Sequence, residues 1–333
     1  MTDVLAQKYH YGLTIFRNIY IHRIYSISSF HNVNQPRTSI SRGEKIKKVV
    51  VSAFAVLLLL STLHITQSKT PMKVLVDESR VFGWDSEYQE YLIEKGVPED
   101  TNWNFSFTSK ETWSFSNAAE EIRNIASLNV KKSGTLSYLE LRDYDVLIVA
   151  SFEGSYSSLE MDAVQQFVEN GGGLLMLADT NFSNNSFSRT FDVLFSSQNA
   201  VIADKNGVSK TFHYNDWSYT LDKTLFFYVD DIKSHPVTEG IDRIALVYGI
   251  PLTQYGSGTV LARTGSSPWA DMVGKGEGSQ QPDEETGPFD VLLVMENVGK
   301  GRAVFIGSSI SFWNAVTQDE KQNLSLLSNA VQW

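Results

Sequence analysis

Cysteine is absent from all 333 residues of this chain. Its absence excludes disulfide bonds, thiolate metal sites and any mechanism that uses a cysteine nucleophile. The chain still has the material for a substantial core, since 42% of its residues are hydrophobic and 12% are aromatic. Its length suits one large α/β domain or two small ones.

Positive charge is concentrated at the N-terminus and is deficient elsewhere. Residues 1–48 carry eight Lys or Arg against two acidic residues, a net charge of +6. The whole chain has a formal charge of −10, so the remaining 285 residues carry −16. Nucleic-acid binding needs a basic surface, so we predict no nucleic-acid partner. We interpret the polar, aperiodic residues 1–48 as a basic, disordered extension.

Long hydrophobic runs are also scarce, and the one membrane candidate lies at Val49–Ile65. Lys and Arg precede it, which predicts the N-terminus inside and the rest outside the cytoplasmic membrane. Its uninterrupted apolar part, 49–60, is shorter than the usual span of about 20 residues, so a cleaved signal peptide fits as well. Because no Ala-x-Ala cleavage site follows, we favour an uncleaved signal anchor that spans residues 49–66. A buried core helix is disfavoured by the flanking charges and the missing polar face. Residues 67–72 would then link the anchor to a domain at 73–333.

Residues 144–180 have the pattern of a complete strand–helix–strand unit. Val146–Ala150 and 174–178 are continuous apolar runs, as in strands covered on both faces. Between them, Ser157 and Glu160 form a capping-box pattern at the start of an amphipathic helix, which ends at Gly171–Gly173. Two strands joined through a helix are expected to be parallel.

The remaining pattern predicts an α/β domain built on a mostly parallel sheet. Before the central unit, we predict strands at 73–77 and 103–107 and helices at 87–94 and 117–128. After it, we predict a helix at 187–195, short strands at 201–202, 211–214, 225–229, 244–248 and 259–262, a mobile loop at 264–288, a hairpin of 291–296 with 302–306, a turn at 308–314 and a helix at 318–331.

Seven stretches carry a resemblance to a known family through their order and spacing. They are KVLVDES at 73–79, YDVLIVA at 144–150, FVENGGGLLMLAD at 167–179, HPVTEGI at 235–241, SSPWAD at 266–271, GPFDVLLVMENVGKGRAVFIGSS at 287–309 and LLSNAVQW at 326–333. On these, the chain resembles class I glutamine amidotransferase-like domains without amidotransferase activity. Such domains occur in membrane-anchored prokaryotic proteins, in gliding-motility and transporter accessory subunits, and in the intraflagellar-transport protein family. The resemblance implies a flavodoxin-like three-layer α/β/α sandwich, here preceded by one N-terminal membrane helix.

The chain departs from the pattern of this family at three positions. Relatives often carry a His after the first strand where this chain has Arg80, and an Asp after the last strand where it has Ser308. An active amidotransferase would place cysteine on the turn after 174–178, where this chain has Asp179-Thr180-Asn181. Glutamine hydrolysis by the family mechanism is therefore excluded.

Polar residues at the carboxyl ends of the predicted strands are the candidate ligand-binding set, because open α/β sheets bind ligands there. They are Asp77, Glu78, Glu153, Asp179, Asn181 and Ser308. Asp77 and Asp179, with Glu78 or Glu153, have the chemistry of a site for an oxygen-loving cation. The alternative, which we favour, is that they cap helices and accept loop amides. We thus predict no metal and no cofactor.

A serine hydrolase is disfavoured, because a serine nucleophile needs a base within hydrogen-bond reach. Ser183, Ser186 and Ser308 are available, but the domain has only His213 and His235, and no G-x-S-x-G elbow. For His235 we expect a structural role.

Two further features bear on possible partners. Trp217 and Trp269 lie in loop-like contexts and suit either sugar stacking or protein contact. N-x-[ST] patterns occur at Asn104, Asn181, Asn184 and Asn323, where an outside-facing domain could be glycosylated.

Together these observations leave two functional hypotheses from different classes. The first is a membrane-anchored, non-enzymatic module outside the cytoplasmic membrane that binds a glycan or a protein partner in an envelope or transporter assembly. The second is an extracytoplasmic hydrolase that uses the strand-end carboxylates, with or without a metal. A cleaved, secreted form would change the location but not the chemistry.

Overall fold

The structure of the chain, a computed structural model, describes residues 71–80, 106–150, 156–178, 185–196, 200–214, 217–221, 223–272 and 278–333. These residues all belong to the compact unit Thr70–Trp333. The predicted extension at 1–48, the membrane segment at 49–66 and the helix at 87–94 lie outside the described residues. In the part of the chain that the structure describes, no helix is long and apolar enough to cross a membrane.

Strands alternate with helices in the first part of the domain. The elements are β1 (Lys73–Asp77), α1 (Ser116–Ile125), β2 (Ser127–Lys131), α2 (Tyr138–Leu141), β3 (Val146–Ala150), α3 (Ser158–Glu169) and β4 (Gly173–Leu177). The predicted capping box is confirmed at α3. The Ser157 side chain accepts the Glu160 amide, and the Glu160 side chain accepts the Ser157 amide. These reciprocal bonds satisfy two N-terminal amides and fix where the helix begins.

Short strands dominate the second part. The elements are α4 (Asn185–Ser188), β5 (Val193–Phe195), β6 (Ala200–Ala203), β7 (Lys210–Tyr214), β8 (Trp217–Leu221), β9 (Phe226–Val229), β10 (Asp231–Ile232), β11 (Ile244–Val247), β12 (Leu252–Gln254), β13 (Thr259–Arg263), β14 (Trp269–Met272), β15 (Asp290–Val298), β16 (Gly301–Ile306), α5 (Asn314–Thr317) and α6 (Lys321–Gln332). The predicted hairpin of two strands at 291–306 is confirmed as β15 and β16.

One large sheet runs through the domain in the order β2-β1-β3-β4-β16-β15-β13-β10. The first five strands in that order are parallel, which confirms the largely parallel sheet. From β16 onward the neighbours are antiparallel. β12 pairs with β5 and with the first residue of β15. Three separate ribbons, β9–β11, β6–β14 and β7–β8, complete the described strands.

Helices cover both faces of this sheet. Val74 and Val76 of β1 belong to a buried cluster that includes the apolar faces of α1 and α6. The alternate residue, Leu75, belongs to a second cluster that includes the apolar face of α3. Because successive strand residues point to opposite faces, β1 is buried on both sides. The described elements therefore form three layers, with the sheet in the middle.

The sequence prediction was wrong over the first crossover. The helix predicted at 117–128 ends at Ile125, and the next residues form β2, an edge strand paired with β1. β2 is only half-buried, so it lacks the continuous apolar run that identified β3 and β4. Residues 103–105 of the strand predicted at 103–107 lie outside the described residues, and Phe107 lies in a turn.

Three predicted segments differ in the second part. The helix predicted at 187–195 stops after a 3-10 turn, because Asp192 takes a left-handed conformation (φ 56°) and β5 follows. The segment predicted as a mobile loop, 264–288, contains β14, which pairs with β6. The predicted turn at 308–314 includes a 3-10 helix at Ile310–Phe312.

Candidate functional site

The carboxyl ends of the parallel strands all lie at one edge of the sheet, which we call the carboxyl edge. Asp77 ends β1, Glu78 follows it, and Ser308 follows β16. These three predicted site residues are described. The other three, Glu153, Asp179 and Asn181, lie outside the described residues, as does the turn where an active amidotransferase would carry its cysteine.

Asp77 is a buried hydrogen-bond acceptor with 1% of its surface exposed. Its carboxylate accepts the hydroxyl of Tyr156 at 2.8 Å and the amide of Ser79 at 3.0 Å. Burial raises the pKa of Tyr156 well above its ordinary value, and the neighbouring Asp77 raises it further. The phenol therefore stays protonated and serves as a permanent donor, which ties Asp77 to the start of α3.

Glu78 is also buried, with 6% of its surface exposed, and its carboxylate is bonded within the domain. It accepts the amide of Phe107 at 2.6 Å and the hydroxyl of Ser106 at 2.8 Å, and it forms an ion pair with Lys132. The Lys132 ammonium also donates to Ser106 at 2.6 Å. These bonds hold the segment at 106–107 against the end of β1, as a carboxylate bonded to loop amides does.

Arg80 forms a two-pronged ion pair with Glu160 of α3. Its Nη2 donates to the two carboxylate oxygens at 2.7 and 2.8 Å, and the guanidinium lies 4.4 Å from the centre of the Tyr156 ring. Glu160 is 2% exposed and also accepts the Leu136 amide at 3.1 Å. Arg80 thus links the end of β1 to α3, and Glu160 links α3 to the segment before α2.

The hydrogen bonds to Glu160 outweigh the effect of burial on its acidity. Burial alone would raise the pKa of Glu160, but donors from the Ser157 amide and hydroxyl, the Leu136 amide and Arg80 bring the pKa below its ordinary value. Glu160 is therefore ionised throughout the neutral range. A general acid needs a raised pKa, so this carboxylate is unsuited to that role.

Ser308 is bonded inside the domain rather than to a catalytic base. It is 1% exposed, and its hydroxyl donates to the Val247 carbonyl at 2.6 Å and accepts from the Ser311 amide and hydroxyl. His235 has the structural role predicted for it: its Nδ1 accepts the Val237 amide at 3.1 Å, and its Nε2 lies 3.4 Å from Glu296. Neither histidine nitrogen has Ser308 as a partner.

The structure also bears on the possible metal site and on the two tryptophans considered for stacking. Within the described ranges, no three His, Asp or Glu side chains converge as a metal site would require. Trp269 is not a loop residue: it lies in β14 and is 3% exposed, so its ring offers no stacking surface. Trp217 likewise begins a strand, β8.

An open cavity of about 440 Å³ lies at the carboxyl edge, beside the start of β15. Its polar walls include Gln254, Arg263 and Asp290, and its apolar walls include Leu252 and Phe289. Arg263 Nε donates to Asp290 Oδ1 at 2.5 Å, and this bond raises the pKa of Arg263. Sequence reasoning missed these residues. The sequence offered only a positive charge directly after the predicted strand 259–262 and a negative charge directly before the predicted strand 291–296, without indicating that these strands pair.

Comparisons with known proteins gave matches only among solved structures, and neither the family models nor the curated proteins produced one. An IFT52 N-terminal domain is 12% identical, over 76% of this chain and 92% of its own, with a TM-score of 0.49. A ThuA-like protein from Bacteroides uniformis is 17% identical, over 80% of this chain and 93% of its own, with a TM-score of 0.44. A ThuA-like protein from Parabacteroides merdae is 12% identical, over 79% and 90%, with a TM-score of 0.43.

Proposed function

We propose that this chain is a membrane-anchored, extracytoplasmic binding module with an amidotransferase-like domain. The observation that carries the proposal is that the described strand-end carboxylates hold the domain together. Asp77 and Glu78 are buried and bonded to loop amides, hydroxyls and a lysine. A hydrolase that used these carboxylates would need them facing an open cleft.

One further observation supports the flavodoxin-like assignment, and another supports the non-enzymatic role. The parallel strands follow the order β2-β1-β3-β4 and then the late strand β16, which matches the flavodoxin-like order 2-1-3-4-5. The chain also lacks any cysteine for the family's chemistry. We propose that the chain retains the amidotransferase-like fold without its catalytic cysteine. Its carboxyl edge binds a protein partner of an envelope or transporter assembly, or a glycan.

The proposed topology is testable because the chain provides a cysteine-free background. We expect Leu159→Cys, at a position 78% exposed in the domain, to react with a membrane-impermeant maleimide in intact cells. Ser41→Cys, before the proposed anchor at 49–66, should react only after lysis. Both proteins should stay in the membrane after alkaline washing.

A shorter chain lacking 49–66 is the control and should leave the membrane. Protection of Leu159→Cys in intact cells would place the domain inside and overturn the proposed location. Release of the intact chain by alkaline washing would overturn the anchor.

The binding role is tested by photo-crosslinking in living cells. Tyr255 follows β12 beyond the carboxyl edge and is 69% exposed. A photoreactive amino acid at this position should give a discrete adduct of higher mass, identified by mass spectrometry. The same group at Lys300, exposed on the β15–β16 turn at the opposite edge, is the matched control. Equal adducts from both positions, or none from Tyr255, would contradict binding at the carboxyl edge.

A further inference from the structure

The cavity beside β15 has the size and position of a small-ligand site. Its volume of about 440 Å³ falls within the roughly 300 to 1,000 Å³ common for such sites. Several elements build it, since β12, β13 and β15 meet at Asp290. Leu252 and Arg263 are both register partners of this residue. Leu252, Arg263 and Asp290 therefore stand on strands, which hold side chains more rigidly than loops do.

The Arg263–Asp290 pair offers both kinds of hydrogen-bonding group to this cavity. Only Arg263 Nε and Asp290 Oδ1 are joined, at 2.5 Å. Among the described residues, the terminal guanidinium nitrogens and the second carboxylate oxygen make no other side-chain bond. The Arg263 side chain is 44% exposed and that of Asp290 is 18% exposed. Two adjacent hydroxyls of a ligand would meet a donor and an acceptor here, held in fixed orientation.

Gln254 forms part of the cavity wall, but its carboxamide oxygen is not available to a ligand. Its Oε1 is buried and lies next to Gly258, which is not among the residues that line the cavity. The surrounding Leu252 and Phe289 supply the apolar contact that a sugar ring's C–H groups need.

The charges around the cavity select against anions. Its lining carries one cation, Arg263, against two carboxylates, Asp290 and Glu285. Asp231 of β10 is also the register partner of Arg263. The chain beyond residue 48 carries a net −16, so the wider field has the same sign. A simple cation is opposed by the exposed guanidinium, which leaves an uncharged polar ligand as the best match.

We propose that this cavity binds an uncharged saccharide through Arg263 and Asp290. The inference rests on the proposed binding function and names the ligand class of its site. Vicinal hydroxyls of the saccharide bond to the Arg263–Asp290 pair, and its ring packs against Leu252 and Phe289.

The test uses the full chain in a detergent without a sugar headgroup, such as lauryldimethylamine oxide. Saturation-transfer NMR and calorimetric titration are run with methyl glucoside, methyl mannoside, methyl galactoside and N-acetylglucosamine, with glucuronate as the anionic comparison. We expect at least one neutral probe to bind and glucuronate to bind less tightly. Asp290→Asn should weaken binding by about tenfold or more, since it removes a charged acceptor.

Thermal unfolding of Asp290→Asn separates a binding role from a structural one. Because the ion pair with Arg263 is partly exposed, the melting temperature should change little while binding weakens. Asp319→Asn, at an exposed carboxylate outside the cavity, is the matched control and should bind normally.

Three results would overturn the inference: no binding of any neutral probe, tighter binding of glucuronate, or full affinity of the Asp290→Asn protein. If Tyr255 crosslinking still captures a partner in that case, the proposed function stands and only the saccharide inference fails. If crosslinking fails too, both fall.

Discussion

Replacement of Glu160 by alanine is expected to lower the free energy of unfolding by about 3 to 5 kcal/mol, the usual cost of breaking a buried ion pair from one side. The substitution removes both bonds to Arg80, the capping bonds of α3 and the acceptor for the Leu136 amide. Arg80 would then lie next to the Tyr156 ring without its carboxylate. In thermal unfolding, this loss corresponds to a melting temperature lower by about 6 to 20 °C.

The same substitution should change the pH dependence of stability in a defined direction. The folded pKa of Glu160 is lowered from its ordinary 4.5. A lowered folded pKa contributes stability above the unfolded pKa, and that contribution is lost as the pH falls through the folded value. The difference between wild type and Glu160→Ala should therefore be full at pH 6 and should shrink below about pH 4.5.

Glu169→Ala is the matched control, because Glu169 ends the same helix and is exposed. It should change the free energy of unfolding by less than about 0.5 kcal/mol at every pH, as surface substitutions usually do. Equal effects of the two substitutions, or a Glu160→Ala effect that grows on acidification, would contradict the role we assign to Glu160.

Replacement of Asn323 by alanine should lower the free energy of unfolding by at least about 3 kcal/mol, because it leaves three buried backbone groups without partners at roughly 1 to 3 kcal/mol each. Asn323 is 1% exposed. Its Oδ1 accepts the Ala245 amide at 3.0 Å, and its Nδ2 donates to the carbonyls of Ala245 and Ser311 at 2.9 and 2.8 Å. One side chain thus joins α6 to β11 and to the 3-10 helix after β16. Chemical and thermal denaturation measure the loss.

Ser325→Ala is the control for this substitution, since Ser325 is exposed on the same helix. Its effect should stay within about 0.5 kcal/mol. The burial of Asn323 also corrects the glycosylation pattern noted at this position, because a side chain with all its polar atoms bonded inside the fold is no acceptor in the folded protein. A stable Asn323→Ala protein would show that the network around Ala245 is dispensable.

Local patterns were sufficient to predict the centre of the fold. The strand–helix–strand unit at 144–180 has continuous apolar runs, a capping box and a glycine-rich helix end, each of which acts within a few residues. The structure has β3, α3 and β4 at these places. Where the signal depended on a distant partner, prediction failed. β14 pairs with β6, more than sixty residues earlier, and its own sequence is short and lies in a polar segment.

The candidate site shows the same division between local and distant information. That Asp77 and Glu78 come at a strand end follows from the sequence. The sequence does not reveal which groups donate hydrogen bonds to these two carboxylates. The donors come from other segments and are Tyr156, Ser106 and Phe107. Arg80 likewise finds Glu160 eighty residues later. The cavity residues Arg263 and Asp290 lie together only because β13 and β15 pair. No local sequence pattern predicts that pairing.

The position of β16 sets a limit on when this domain can be completed during its synthesis. β16 is made after the other fifteen described strands, yet it lies between β4 and β15 in the sheet. Until residues 301–306 emerge, β4 has β3 on one side and an open row of backbone amides and carbonyls on the other. An open edge of this kind invites pairing with other chains. Late completion of the sheet also suits a domain that is proposed to cross a membrane, because an exported chain has to stay unfolded until its last strand has crossed.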